Sequence, residues 1–220
     1  MEHGTSIPSY KEGYAELRGN LTKMVPAQLL SDFDGYAEEL QKSLSGILKV
    51  KKGEKAHNFA LNNQLGQSVA LYDLLRKGQV VLVFYRGAWC PYCNLQLAQL
   101  ESALSEMKSL NAILVAISPQ SPDVSLTQVE KNKITFDVLS DVGNVVARKF
   151  TTVFTHSDKA NEILKQLGID FESFYGDDSN EIPVPAVFVI GVDGIVKFAK
   201  SEGADYRNRV ETSEILEALK

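Results

Sequence analysis

Residues 80–94 read Val80-Val81-Leu82-Val83-Phe84-Tyr85-Arg86-Gly87-Ala88-Trp89-Cys90-Pro91-Tyr92-Cys93-Asn94. The first six residues form an unbroken apolar run of strand length, the pattern of a strand buried on both faces. Beyond the cysteines, Leu97, Leu100, Leu104 and Met107 recur at helical spacing. A Cys-x-x-Cys pair therefore sits where a buried strand hands over to a helix. Pro91 has its φ already set for a first helical turn, where a missing N–H costs nothing. That puts Cys90 at the helix N-terminus, where unpaired N–H groups and the macrodipole favour a thiolate. Cys90 is thus expected to be the nucleophile and Cys93, one turn on, to resolve it. Arg86 adds positive potential from four residues upstream.

Outward from this stretch, strand and helix patterns alternate. Downstream, Ala112–Ile117 is a second buried strand, and Ser118-Pro119-Gln120-Ser121-Pro122 leads into a helix. Phe136–Leu139 reads as a strand, Asp141–Phe150 and Lys159–Leu167 as helices, and a last helix starts near Asn208. Ala186–Ile190 and Ile195–Ala199 suit a hairpin, because Asp193-Gly194 between them fits a tight turn. Pro185 belongs at a strand start, since it cannot donate to the ladder. A cis Val184–Pro185 bond would bring the backbone beside it up to the dithiol. Upstream, Asn58–Leu61 is a short strand, Gly66 a turn and Leu71–Arg76 a helical turn. The pattern predicts an α/β domain with a central mixed sheet flanked by helices.

Before this domain, Leu29, Phe33, Tyr36, Leu40 and Leu44 paint one apolar stripe on a helix that Gly46 ends. The stripe is expected to pack on its own domain, with a partner or homodimer surface as the alternative. Residues 1 to about 25 show little periodicity. The chain is therefore divided into an N-terminal helical extension, 1–52, and a main domain, 53–220.

Composition narrows the class. The 220 residues are 44% hydrophobic and 23% charged, with a net charge of −5 and interspersed signs. No basic run suggests nucleic acid or an anionic membrane, and no apolar stretch approaches the ~18 residues of a membrane span. Met1–Tyr10 lacks a basic n-region and an apolar core, so a cytoplasmic protein is expected. The chain has two cysteines. Set so close together they would staple little, and a reducing cytosol would open the bridge, which favours a chemical role. Structural zinc wants four ligands, whereas His3, His57 and His156 are scattered singly, so neither metal nor other cofactor is expected. A cluster shared between two subunits is the alternative.

From about Gly53 to Lys220, roughly three-quarters of the chain, the sequence resembles the peroxiredoxin-like branch of the AhpC/TSA (alkyl hydroperoxide reductase/thiol-specific antioxidant) family. The matching stretches are Phe84-Tyr85-Arg86-Gly87, Trp89-Cys90-Pro91-Tyr92-Cys93-Asn94, Ala116-Ile117-Ser118-Pro119-Gln120, Val138-Leu139-Ser140-Asp141 and Val184-Pro185-Ala186. The resemblance implies a thioredoxin-like fold and a thiol-dependent oxidoreductase. Laid on the family's P-x-x-x-T-x-x-C motif, the peroxidatic cysteine falls on Cys93, the threonine on Cys90 and the proline on Arg86. The family's late arginine falls on Pro185. Trp89-Cys90-Pro91-Tyr92-Cys93 and Pro185 resemble thioredoxin instead, which makes Trp89, Pro91 and Pro185 supporting residues.

Three activities follow as expectations. The first is reduction of a hydroperoxide through sulfenic acid and disulfide, with Arg86 polarising the peroxide and thioredoxin or another thiol as reductant. The second is reduction of a protein disulfide. The third is a non-catalytic redox sensor or intersubunit metal or cluster binder.

Overall fold

The computed structural model describes residues 9–220, so the reading of Met1–Tyr10 as no secretory signal falls almost wholly outside it. The chain begins with α1 (Tyr10–Met24) and α2 (Ala27–Ser43). Then come β1 (Ala60–Asn63), β2 (Ser68–Ala70), α3 (Leu71–Leu75), β3 (Gln79–Phe84), α4 (Pro91–Ser102) and α5 (Leu104–Ser109). They are followed by β4 (Ala112–Ser118), α6 (Pro122–Asn132) and β5 (Asp137–Ser140). After a 3₁₀ turn at Val142–Asn144 come α7 (Ala147–Phe150), β6 (Val153–Thr155), α8 (Asp158–Gln166) and α9 (Phe171–Tyr175). The chain ends with β7 (Glu181–Pro183), β8 (Ala186–Ile190), β9 (Val196–Lys200) and α10 (Thr212–Leu219).

Seven strands form one mixed sheet in the order β2-β1-β5-β4-β3-β8-β9. β3 pairs in parallel with β4, and β4 with β5, while β8 joins β3 antiparallel and returns in β9. This is the expected α/β architecture. The unbroken apolar run of β3 is explained by what lies on its two faces. Val81, Val83 and Tyr85 pack with Leu97 and Leu100 of α4, and Val80, Leu82 and Phe84 pack with Leu71, Phe150 and Phe188. Each such side chain contributes about 1.5–3 kcal/mol when fully buried. The strand is pinned, and so is the point where it releases the chain at Arg86.

Several expectations need correcting. Residues 10–24 form a 15-residue helix where little periodicity was expected. The helix predicted over Asp141–Phe150 is interrupted. Gly143 takes φ 78°, and the Asp141 carboxylate accepts the N–H groups of Val146 (3.0 Å) and Ala147 (2.8 Å), so helical structure restarts only at Ala147. The small β6–β7 pair and α9 were not foreseen. No peptide bond among the described residues is cis, so the Val184–Pro185 bond is trans. The reason lies in the neighbours of Val184: its N–H bonds to Thr152 O (2.8 Å) and its carbonyl accepts from Thr151 Oγ1 (2.9 Å).

The α2 stripe packs on the chain's own core, with Ala37 and Leu40 buried and Phe33, Tyr36 and Leu44 against the same cluster. α1 lies along α4, where Gly13 meets Leu95 and Gln99 so closely that a Cβ would stand 2.9 Å from each. Among the described residues no helix is long and apolar enough to cross a membrane.

Candidate active site

Cys90 is the N-cap of α4 and Pro91 its first residue, as the sequence predicted. The loop between β3 and α4 is fixed from below. Gln120, fully buried, accepts the Ala88 N–H, and Asn94 Nδ2 donates to Ala88 O (2.7 Å). Gln128 ties Asn94 (2.8 Å) to Tyr85 (2.8 Å). Trp89 Nε1 donates to Tyr175 Oη (3.0 Å), whose own hydroxyl donates to Arg86 O (2.7 Å). Trp89, Cys90, Pro91 and Cys93 are thereby brought together. Pro185, directly before the strand that pairs with Phe84, instead bonds through its carbonyl to Ser201 Oγ (2.7 Å).

Both cysteines are reduced and inaccessible: Cys90 is 1% exposed and Cys93 0%. The decisive neighbour is Arg209, on the segment between β9 and α10, which the sequence did not single out. Its Nη2 lies 3.0 Å from Cys93 Sγ and 3.8 Å from Cys90 Sγ. Its Nη1 donates to the carbonyls of Tyr206 and Asn208, both at 2.6 Å. The guanidinium is held by its own loop and aimed at the dithiol.

Arg86 is also buried, with its guanidinium 4.1 Å from the centre of the Tyr206 ring and 4.5 Å from that of Trp89. Its Nη2 lies 3.0 Å from Nε2 of His156. Burial, together with the Arg86 charge, pushes His156 down to about 2. The imidazole is therefore neutral and can accept from Arg86 through Nε2.

These neighbours act on the two thiols in opposite directions. Burial pushes the Cys90 thiol well up, and the hydrogen bond and charge of Cys93 push it further. Burial also opposes a thiolate at Cys93. There, however, the hydrogen bond from Cys90, the guanidiniums of Arg209 and Arg86 and the Arg86 backbone N–H outweigh it and hold Cys93 well below the ordinary thiol value. The Cys90 side chain caps no helical N–H, and the Arg209 guanidinium sits closer to Cys93 than to Cys90.

Cys90, but not Cys93, lines an apolar cavity of ≈80 Å³. Leu21 of α1, Val25, Phe33 of α2 and Leu164 of α8 line it together with Arg86 and Cys90. Among the described residues, no group of three or more His, Cys, Asp or Glu side chains could hold a metal ion.

Residues 52–199 match the AhpC/TSA family. Over 102 residues the chain is 34% identical to Peroxiredoxin Bcp of Escherichia coli (strain K12), covering 46% of this chain and 64% of that protein. Over 98 residues it is 29% identical to the thiol-disulfide oxidoreductase ResA of Halalkalibacterium halodurans, covering 44% of this chain and 54% of that one. The chain thus spans less than two thirds of the length of these two curated relatives. Among solved structures, peroxidoxin BcpB from Mycobacterium tuberculosis is similar in fold, with a TM-score of 0.59 at 24% identity over 77% of this chain and 96% of that one. Helices α1 and α2 lie ahead of the matched region.

Proposed function

This chain belongs to the AhpC/TSA family, and on that premise we propose that it reduces a hydroperoxide with its buried dithiol, Cys93 attacking and Cys90 resolving. The observation that carries this reading is the 3.0 Å contact between Arg209 Nη2 and Cys93 Sγ. A charge-assisted donor of this kind keeps the sulfur ionised and is positioned to stabilise charge on a departing oxygen.

The Cys93 thiolate attacks the distal oxygen of ROOH. The O–O bond breaks, Cys93 becomes a sulfenic acid, and the alkoxide takes a proton from solvent and leaves as ROH. The Cys90 sulfur then attacks Cys93 Sγ, the S–S bond forms, and the sulfenic oxygen leaves as water with the Cys90 proton. Two electrons pass from the dithiol to the peroxide. Thioredoxin or another thiol returns the disulfide to the dithiol. Arg86, which lines the same cavity as Cys90, is the second cation available to the peroxide, in the role expected from the sequence.

The second reading, protein-disulfide reduction, draws on the Trp89-Cys90-Pro91-Tyr92-Cys93 string and on the similarity to ResA. A protein disulfide has to touch the attacking sulfur, and here both sulfurs lie under the N-terminal helices. A shared metal or cluster between subunits meets the same obstacle. A small peroxide has the apolar cavity lined by Cys90 to enter.

Stopped-flow mixing of reduced protein with hydroperoxide, followed by the fluorescence of Trp89, the chain's one tryptophan, tests the proposal. A saturable, peroxide-dependent change is expected, and Arg209→Met should slow it about 10²–10³-fold. An inert dithiol that still reduces a protein disulfide would overturn the peroxide reading.

A further inference from the structure

The buried Arg209 guanidinium has an unusual counter-charge. Among the described residues, neither Arg86 nor Arg209 forms an ion pair with a carboxylate. Their Nε atoms have no hydrogen-bond partner, and both side chains are nearly inaccessible, 3% and 5% exposed. What Arg209 faces with its charge is the sulfur pair. Arg86 instead faces His156 and the Trp89 and Tyr206 rings, so Arg209 is the cation in contact with the dithiol.

The segment carrying Arg209 is also the one that holds down the N-terminal helices. Tyr10 Oη donates to Arg207 O (2.7 Å), and the Tyr10 N–H to Glu211 (2.8 Å). Tyr206 Oη donates to Phe33 O (2.6 Å), Arg207 pairs with Asp34 (3.0 Å), and the Asp205 N–H donates to Gln41 (2.9 Å). From the other side, Arg18 of α1 reaches Tyr92 Oη between the cysteines (3.2 Å).

We propose that α1 and α2 form a cap latched by the reduced dithiol, and that forming the Cys90–Cys93 disulfide unlatches it by taking away the sulfur anion that holds Arg209. The inference deepens the proposed function by supplying its regulation. It needs the two cysteines to form a reversible couple, but it does not need a peroxide as the oxidant.

The physical step is a change of buried charge. Oxidation removes two electrons and the Cys90 proton from the pair, so the protein loses the thiolate charge and keeps both guanidiniums. Removing one partner of a buried pair is strongly destabilising, because the other charge is left uncompensated. Arg209 relieves this by moving toward water, and because its Nη1 is bonded to the carbonyls of Tyr206 and Asn208 the move carries with it the segment to which the cap is tied. The reduced enzyme is then closed to proteins, with only the small apolar cavity beside Cys90 left to a peroxide. The oxidised enzyme uncovers its disulfide for a protein reductant. The closed geometry that favours a small oxidant thus also explains how a macromolecular reductant gets in.

Hydrogen–deuterium exchange on the full chain tests this, comparing reduced protein with protein oxidised by diamide and, in parallel, by hydroperoxide. The α1 amides, Tyr10–Met24, and those of 205–211 should exchange about tenfold faster or more once oxidised, with β3 and β4 unchanged. Cys93→Ser, kept under reductant, carries no sulfur anion at that position and should show the fast α1 exchange without any oxidant. Equal α1 protection in the reduced and diamide-oxidised chains, or a fully protected α1 in Cys93→Ser, would overturn the latch. Fast exchange after diamide but no response to hydroperoxide would keep the latch and overturn the peroxidase reading, so the two failures are distinguishable.

Discussion

At the scale of the residue, the site turns on which of two adjacent thiols carries the charge. A helix N-terminus contributes about 0.3–1 kcal/mol to a nearby anion at an exposed site and up to about 2 kcal/mol at a partly buried one. A hydrogen bond to a charged group contributes about 1.5–3 kcal/mol, and Arg209 makes its short contact with Cys93. On the proposed reading, Arg209 sets the charge on Cys93, one turn into the helix. The buried His156 makes a separate prediction. Its folded-state pKa of about 2 lies below the ordinary 6.5, so between these values the unfolded chain binds a proton that the native chain refuses. The associated stability is fully present above about pH 6.5 and is lost as pH falls, by up to about 1.4 kcal/mol per pH unit. His156→Gln keeps an acceptor for Arg86 and does not titrate. Its urea midpoint should fall less between neutral pH and about pH 5 than that of the parent. An equally steep fall in both would assign the acid sensitivity to other groups. The pairing of Arg209 with Cys93 had no local signature to read, because the two residues stand 116 positions apart and one tertiary contact carries it.

At the scale of the element, the loop from β3 to α4 owes its shape to Gly87. Its φ is 146°, and a Cβ there would stand 2.7 Å from Trp89 Nε1 and 3.0 Å from Gln120 Oε1. Gly87→Ala should destabilise the chain by about 1–3 kcal/mol and shift Trp89 emission to the red as the indole is pushed outward. Unchanged emission with unchanged stability would mean that the loop relaxes freely. The elements flanking this loop were the most legible part of the sequence, because β3 and β4 are continuous apolar runs and Pro91 marks a helix start. α1 also carries a stripe. Tyr10, Tyr14, Leu17 and Leu21 follow spacings of four, three and four, but polar residues dilute the stripe, and its meaning depends on the Tyr92 and Tyr206 rings it joins. The break at Gly143 and the trans bond before Pro185 depend on the Asp141 carboxylate and on Thr151 and Thr152, neighbours that local pattern does not reveal.

At the scale of the whole molecule, the matched family region supplies the sheet and the dithiol. Two pieces outside it, the N-terminal helices and the segment carrying Arg209, complete the site. They bury both sulfurs, wall the apolar cavity and supply the guanidinium that the family overlay had left vacant at Pro185. The central claim is that Cys93 is the sulfur that meets the peroxide. The most direct measurement is mass spectrometry of reduced Cys90→Ser protein after brief hydroperoxide treatment with a sulfenic-acid trap, beside Cys93→Ser treated in the same way. One trap adduct is expected on the Cys93 peptide of the first variant and none on the Cys90 peptide of the second. Trapping on Cys90 in Cys93→Ser, with Cys93 left unmodified in Cys90→Ser, would contradict it.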